Sequence, residues 1–381
     1  MIEDKLNALF GDEQPTQFGS GWWSGVSSAF FGILAFGAVV CLHFPQFLTS
    51  ANLRPFYPMP LMRLTIQAVI VAAIALGVAS AMLRQKKVLA LTGMLCALGA
   101  TLLGGANVAI NADLPRGPSI GLDWFLLDML LMTLVFSPIE VLWPAYPKQS
   151  VFRKEWVTDI GYFLSTHLPV QVTTFLILLP ATKLTAYLNV PALVTEVGRL
   201  PWPVQFLLAV LVADLAEYAI HRAFHVVPWL WRFHAVHHSS PALDWIAGSR
   251  SHLVDDLAVR GFILIPMMLV FPHDMIVAYL FFVNLHATWT HCNFGPTIRW
   301  LEPYLIQPRY HHWHHTSQKA AIDKNFAIHF PWIDRLFGTH YLPEDGRWPD
   351  TYGVAGEKVP AGFWAQFFYP FFPGKRAAAR S

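Results

Sequence analysis

The sequence predicts an all-α protein: a polytopic membrane helix bundle with a cytoplasmic helical cap that carries a histidine-rich dimetal site. Three observations predict this class. Apolar residues make up 55% of the 381-residue chain and charged residues only 13%, whereas ordinary globular domains have about 25% charged residues. Several segments stay apolar for the length of a membrane crossing, and 13 of the 17 histidines fall between residues 221 and 315. The net charge of +2 gives no case for nucleic-acid binding.

Six segments are long and apolar enough to cross a membrane, which takes about 20 residues. They comprise residues 25–44, 64–83, 88–110, 124–143, 160–181 and 204–220. The third is rich in Gly and Ala, which is typical of closely packed membrane helices. The fourth is interrupted by Asp128 and Glu140.

The distribution of Lys and Arg predicts the orientation. The basic loops "RQKK" (84–87) and "KQSVFRK" (148–154) should be cytoplasmic. Counting spans from these loops places the N-terminus and the end of the sixth span on the cytoplasmic side. Residues 259–289 form two short apolar arms around "FPHD", which predicts a short or re-entrant hairpin that returns to the same side. The polar, Trp- and Pro-rich stretch from about residue 300 should form the cytoplasmic cap.

The histidines fall into three boxes. "HRAFH" spaces His221 and His225 at i and i+4, while "HAVHH" (234–238) and "HHWHH" (311–315) each carry an i, i+3, i+4 set. Helical residues at these spacings share one face, about 5–6 Å apart at Cβ. His312 is the exception in the last box and should point elsewhere. "HATWTHCN" adds His286 and His291.

So many imidazoles beside an apolar region would leave nitrogens without partners unless a cation holds them. The number of histidines exceeds the needs of one ion, so two metals are the simplest interpretation. Imidazole suits Zn, Cu, Fe and Ni alike, so the ligands alone leave the metal open. Motifs of the HExxH, GxSxG and P-loop types are absent, and Cys41, Cys96 and Cys292 lie outside the boxes. The isolated histidines should be ordinary hydrogen-bonding residues; these are His43, His167, His273, His329 and His340.

In this order and spacing, the boxes resemble the fatty acid hydroxylase/sterol desaturase superfamily of membrane di-iron enzymes. "DLAEYAIHRAFH" (214–225) is similar to its opening segment and "DKNFAIHFPWIDRLFGTHY" (323–341) to its closing one. "THCNFG" and the last box look most similar to the bacterial sterol desaturase-like and alkylglycerol monooxygenase branch. The resemblance implies three regions: 1–118 with three spans, a catalytic domain at 119–345, and a cytoplasmic tail at 346–381.

The resemblance also implies site residues. The implied metal ligands are His221, His225, His234, His237, His238, His291, His311, His314 and His315. His286 is a further candidate, although its i, i+5 offset from His291 places it off the same helical face. Supporting positions around the ligands are Asp214, Tyr218, His252 and Asn325, with Asp214 and Asp244 as candidates for orienting imidazole N–H groups.

The implied activity is O2-dependent oxidation of a lipid C–H bond by two Fe ions, with Zn as an occupant of purified protein. It would be a hydroxylation or desaturation of a fatty acyl, sterol-like or ether lipid, in a bacterial inner membrane. Electrons would come from a separate ferredoxin, cytochrome b5-like protein or reductase. Basic residues of the cap offer a docking surface, namely Arg299, Arg309, Lys319, Lys324 and Arg335. Two alternatives remain: a membrane metal-handling protein, and an inactive family member with a structural metal site.

Overall fold

The computed structural model describes residues 2–10, 19–51, 53–109, 119–188, 191–356 and 358–372. This part of the chain is helical, and its one β contact is a bridge between Thr316 and Tyr352. The α-helices are α1 Ile2–Phe10, α2 Trp22–His43, α3 Pro45–Leu48, α4 Met59–Leu83, α5 Val88–Leu102, α6 Leu122–Leu142, α7 Trp156–His167, α8 Val170–Leu188, α9 Pro191–Gly198, α10 Trp202–Val226, α11 Pro228–His237, α12 Leu253–Val270, α13 His273–His291, α14 Pro308–His314, α15 Pro331–Leu336 and α16 Phe363–Phe368. Short 3-10 turns are Arg54–Phe56, Gly105–Asn107, Ala247–Ser249, Lys319–Ala321 and Tyr369–Phe371.

Among the described residues, five helical segments are long and apolar enough to cross a membrane. They are Trp22–His43, Met59–Leu83, Val88–Asn107, Leu122–Leu142 and Trp202–Val226. A sixth would consist of α7 and α8, which meet at a bend of 45°. Pro169 lies at the break, where its ring removes a helical hydrogen bond and clashes with the preceding turn. The predicted polytopic helix bundle is therefore confirmed, with the fifth predicted span bent rather than straight.

The described chain divides into two compact units. The first unit comprises Met1–Thr133, Ser150–Phe152 and Leu168–Gln171; the second comprises Leu134–Gln149, Arg153–His167 and Val172–Ser381. The predicted boundary at residue 118 lies outside the described residues. All of the histidine boxes belong to the second unit.

Close helix contacts build the first unit. A Cβ atom on Gly32 of α2 would lie 2.3 Å from the Gly93 carbonyl oxygen of α5, so only glycine permits this approach. The Ser28 hydroxyl donates to the Ala73 carbonyl of α4 at 2.7 Å, which ties the third helix to the pair. Small residues and interhelical hydrogen bonds of this kind replace the hydrophobic driving force that is missing inside a bilayer.

The second unit is organised around α10. Its buried Ala209, Val210 and Ala213 pack against Ile263 and Met267 of α12 in one apolar core, which also contains residues of α13. Helices α12 and α13 are separated only by Phe271 and Pro272, as the predicted hairpin requires. This packing fixes the C-terminal end of α10, where the first histidine box begins. Whether the hairpin is re-entrant stays a prediction.

Candidate metal centre

Five buried histidines converge in one group. His221 and His225 lie on the last turns of α10, His234 and His238 on and just after α11, and His314 ends α14. One ring nitrogen from each lies within 4.8 Å of the corresponding nitrogens of the others. Proline at the start of α11 and α14 sets where these short helices begin. The i, i+4 spacing in the first two boxes therefore produces the predicted shared face.

The inward nitrogens of this group are suited to a cation. The Nε2 atoms of His221, His234, His238 and His314 are buried and have no hydrogen-bond partner among the described residues. A buried polar atom without a partner carries a desolvation cost of about 1–3 kcal/mol. Four unpartnered nitrogens that converge would destabilise the fold if no ion were bound. The set of donor atoms therefore fits a metal ion.

The Nδ1 atoms of these rings contact backbone carbonyls or carboxylates that lie around the group. His221 Nδ1–H donates to the Phe326 carbonyl at 2.8 Å, and His314 Nδ1–H donates to the Lys324 carbonyl at 2.8 Å. His234 Nδ1 lies 2.8 Å from the Asp255 carboxylate, and His225 Nδ1 lies 3.2 Å from that of Asp323. A proton on Nδ1 leaves a lone pair on Nε2, which is the tautomer needed for ligation through Nε2.

A second group contains His237, His291, His311 and His315. The Nε2 atoms of His291 and His311 are 3.0 Å apart, and those of His291 and His237 are 3.3 Å apart. The Nδ1–H of His237 donates to the Arg250 carbonyl at 2.9 Å, and the Nδ1–H of His291 donates to the Ala287 carbonyl at 2.7 Å. Neutral His237 and His291 therefore face each other with two lone pairs, which cannot hydrogen-bond together. A shared cation resolves this contact.

The two groups are neighbours. The rings of His238 in the first group and His315 in the second stack with centroids 4.5 Å apart, and those of His234 in the first group and His237 in the second are 5.2 Å apart. Burial and neighbouring imidazoles lower the pKa of His237, His238 and His315 well below the ordinary value, and burial lowers the pKa of His314 to about 3. All four side chains are thus neutral near pH 7, which is the form that binds metal.

Two other histidines near the boxes lie outside both groups. His312 directs Nδ1 at the Tyr352 hydroxyl (2.5 Å) and Nε2 at the Cys292 carbonyl (3.0 Å), so both nitrogens are engaged elsewhere. This placement agrees with the prediction for His312. His286 contacts the Ile306 carbonyl through Nε2 and His329 through Nδ1, both at 3.0 Å. The structure does not bring His286 to the other ligand candidates, because its i, i+5 offset turns it away.

Both aspartates expected to orient imidazoles have other partners, which corrects those predictions. Asp214 accepts backbone N–H groups from Ile328, His329 and Phe330, at 2.9, 3.2 and 2.7 Å. It therefore anchors residues 328–330, just after the Phe326 carbonyl that holds His221, and does not orient a ring itself. Asp244 pairs with the Arg153 guanidinium at 2.6 Å.

The other predicted supporting residues, Tyr218, Asn325 and His252, contact groups other than the ligand rings. The Tyr218 hydroxyl lies 3.0 Å from Thr339 Oγ1. Asn325 adopts a left-handed φ of 62° and accepts the Tyr341 N–H at 2.7 Å, which fixes the turn around residues 323–326. His252 caps α12 by accepting the Val254 N–H. Among the described residues, none of the three forms a hydrogen bond to a histidine of either group.

Sequence reasoning missed the groups that do hold the rings. Asp255 lies well beyond the second histidine box in the sequence. The one feature that marks it is its position in the first turn of α12, just after "SRSH". The carbonyls of Lys324, Phe326 and Arg250 have no side-chain signature at all. Arg250 is itself fixed by a fully buried network, in which its guanidinium pairs with Asp159 at 2.5 Å and Glu155 at 2.7 Å.

The five isolated histidines, His43, His167, His273, His329 and His340, all lie outside the two groups. Among the basic residues of the predicted docking surface, Arg309 is buried against Glu302 at 2.7 Å and is not available to a partner. Arg299, Lys319 and Arg335 are exposed, and Lys324 is half-buried.

Comparison with known proteins places this site in a family. A family profile described as fatty acid hydroxylase matches residues 206–339, which contain all nine histidines of the two groups. The ornithine lipid hydroxylase of Rhizobium tropici is 32% identical over 279 residues, covering 71% of this chain and 80% of that protein. The chain belongs to the fatty acid hydroxylase family.

Other relatives in the fatty acid hydroxylase family are named for different activities. The alkylglycerol monooxygenase of Danio rerio is 31% identical over 178 residues, covering 45% of this chain and 39% of that protein. The cholesterol 25-hydroxylase of Mus musculus is 24% identical over 240 residues, covering 59% of this chain and 77% of that protein. No solved structure matches the chain. Membership of the fatty acid hydroxylase family supports lipid hydroxylation by a membrane oxidoreductase.

Proposed function

We propose that this protein is an O2-dependent di-iron enzyme that hydroxylates or desaturates a fatty acyl, sterol-like or ether lipid. The observation that carries the proposal is the pair of adjacent imidazole groups, in which the inward Nε2 atoms of His221, His234, His238 and His314 have no other partner among the described residues. Because neutral imidazoles add no negative charge, each ion would keep its full charge toward an incoming ligand. The three relatives are all named for activity on a lipid, which supports the same substrate class.

In this proposal the two groups hold one iron each. The first ion would bind His221, His225, His234, His238 and His314, and the second His237, His291, His311 and His315. Together the ions would supply reductive activation of O2 and attack on an unactivated C–H bond, which protein side chains alone cannot perform.

The chain's own residues do the positioning. Hydrogen bonds from Nδ1 to the Phe326, Lys324 and Arg250 carbonyls fix ring orientation before any ion arrives. The rings of Phe326 and Trp231 lie 5.0 Å from His225 and exclude water from that side. A dry, oriented site protects a strong oxidant from side reactions.

The membrane topology supports the substrate class. The first box lies at the C-terminal end of α10, a helix able to cross the bilayer, so a lipid could reach the groups laterally with its head at the interface. We place the site on the cytoplasmic side because the basic loops favour that orientation. The electron donor would be a separate ferredoxin, cytochrome b5-like protein or reductase that docks on the exposed Arg299, Lys319 or Arg335.

The test combines metal analysis with product analysis. Full-length protein would be purified, its iron and zinc measured, and its iron-loaded form supplied with a reductant, isotopically labelled O2 and membrane lipids. Comparative lipidomics of cells with and without the gene would identify the product in parallel. A gain of one labelled oxygen indicates hydroxylation, whereas a loss of two hydrogens indicates desaturation.

The His314→Ala variant should lose product formation, while His273→Ala, which alters an exposed histidine outside both groups, should keep it. A preparation that binds iron stoichiometrically and yields no O2-dependent lipid product would overturn the proposed activity and leave a structural metal site. Zinc in the purified protein is expected, since a histidine site also accepts zinc.

A metal carrier is the alternative function. It would need ligands spread along a path through the bilayer, whereas these nine histidines form one compact cluster.

A further inference from the structure

A cavity of about 620 Å³ lies within the first unit, whereas all of the histidine boxes belong to the second. Its walls are formed by α2, α4 and the first turns of α6, together with residues from the segment between α2 and α4. Small-molecule sites usually have volumes of about 300–1,000 Å³. The cavity is therefore large enough for a ligand, and no step of the proposed oxidation uses it.

One end of the cavity is apolar. Its lining there includes Leu34, Ala38, Ile66, Val69, Leu126 and Leu130. These residues lie one to three turns inside their helices, on segments able to cross a membrane. The lining of α4 extends from Met59 to Val69, which is roughly 15 Å along a helix axis. An apolar space of this length matches a hydrocarbon chain better than a compact polar metabolite.

The other end of the cavity is polar and lies where the three helices begin or end. Asp123, at the start of α6, accepts the Ser50 N–H at 3.0 Å and the Tyr57 hydroxyl at 2.5 Å. The Arg54 Nε–H donates to Thr49 Oγ1 at 2.8 Å. The ends of membrane-crossing helices lie near the lipid head groups. The polar end of the cavity therefore lies at the depth of a lipid head group.

Arg63 gives this end an excess of positive charge. Its guanidinium donates to the Ala106 carbonyl and, at 2.8 Å, to the Val108 carbonyl. Among the described residues, no carboxylate forms an ion pair with it. Of the described residues that line the cavity, Arg54 and Arg63 are basic and Asp123 is the one acidic residue; its carboxylate already accepts the Ser50 N–H and the Tyr57 hydroxyl. A guanidinium has five N–H donors, so Arg63 retains capacity for an anionic partner.

We infer that this cavity binds one hydrocarbon chain of a membrane lipid whose anionic head group, a phosphate or a carboxylate, lies at Arg63. The apolar walls take the chain, and the polar end takes the head. The inference goes beyond the proposed oxidation, because it concerns a second lipid site in a different unit of the chain.

The test uses full-length protein in detergent and native mass spectrometry. The wild-type chain should retain one lipid after purification, and after delipidation it should rebind oleate or lysophosphatidylglycerol in preference to neutral monoolein. Ala38→Phe fills the cavity and should weaken binding by about tenfold or more in Kd. Ala75→Phe is the matched control, because Ala75 is exposed on α4 and does not line the cavity.

Arg63→Gln should remove the preference for anionic over neutral probes while leaving chain binding in place. Binding of oleate alone assigns a carboxylate head, and binding of lysophosphatidylglycerol alone assigns a phosphate. Equal lipid retention in Ala38→Phe and the wild type would overturn the site, and equal binding of monoolein by the wild type would overturn the anionic head. If Ala38→Phe does not fold, the smaller Ala38→Leu substitution provides the same comparison.

Discussion

His234 Nδ1 lies 2.8 Å from the Oδ2 atom of Asp255, and both side chains are buried. This contact joins α11, which carries the second histidine box, to the first turn of α12. An acceptor at Nδ1 fixes the neutral ring in the tautomer that presents the Nε2 lone pair to the first group. A carboxylate in this position also makes the imidazole a stronger donor to a metal.

The first prediction concerns this contact. Asp255→Leu keeps a similar volume but removes the acceptor, so His234 should bind metal less well. Loss of such partners typically lowers metal affinity or activity by about 10–100-fold. Competition with a chelator of known affinity would measure the change. The control is Asp256→Leu, because Asp256 pairs with Arg260 at 2.8 Å instead of with a histidine. Unchanged metal affinity in Asp255→Leu would argue against this role.

The second prediction concerns metal stoichiometry. Each group has its own convergent nitrogens, so His221→Ala and His311→Ala should each lower bound metal from about two ions to about one. His286→Ala should keep the full content, because His286 contacts the Ile306 carbonyl and His329 and belongs to neither group. Elemental analysis of the purified variants checks all three. Full metal loss in His311→Ala alone would indicate that the two ions bind only together.

The box pattern in the sequence was sufficient to predict which histidines meet. The i, i+3, i+4 spacing places side chains on one helical face, and three such faces have few ways to satisfy their nitrogens except by converging. The same reasoning set His312 apart, and the structure gives it separate partners in Tyr352 and Cys292. Long apolar segments predicted the spans for a similar reason, since lipid leaves helices few alternatives.

The supporting contacts were not predictable in the same way. Asp214 binds three backbone N–H groups rather than a ring, and nothing in its sequence position distinguishes these roles. The carbonyls that hold His221 and His237 belong to Phe326 and Arg250, and every residue has a carbonyl. Such contacts depend on tertiary packing between distant segments, which a local pattern cannot specify.

The third prediction concerns Arg250, whose carbonyl holds His237. Arg250→Met would remove the buried guanidinium that pairs with Asp159 and Glu155, while Asp159 would keep its pair with Arg153 at 2.7 Å. Removing one member of a buried ion pair typically costs about 3–5 kcal/mol. Unfolding by a denaturing detergent should show a loss of stability of this size. Metal content should also fall, because the backbone segment whose carbonyl at residue 250 holds His237 loses the side-chain pairs that fix it. Arg260→Met is the matched control, since Arg260 is partly exposed and its pair should contribute only about 0.3–0.5 kcal/mol.

The fourth prediction concerns His252 and pH. Its Nε2–H donates to the Phe367 carbonyl at 3.0 Å, and its Nδ1 accepts the Val254 N–H at 3.1 Å. A second proton would have to sit on Nδ1, opposite another donor, and burial opposes the charge as well. Burial lowers the pKa of His252 below its ordinary value, although nearby Asp255 acts in the opposite direction.

A lowered pKa in the folded state fixes the sign of the pH dependence. Above about pH 6.5 both folded and unfolded His252 are neutral, so the full stability is present. As pH falls below that value, His252 binds a proton in the unfolded chain but not in the folded chain. Stability therefore declines until the pH passes the pKa of His252 in the folded state.

The variant that tests this is His252→Asn, which keeps a good N-cap and cannot titrate. Between about pH 7.5 and pH 5.5, its melting temperature should fall less than that of the wild type. The exposed His273→Asn variant should keep the wild-type slope, and an unchanged slope in His252→Asn would exclude His252 as the titrating group.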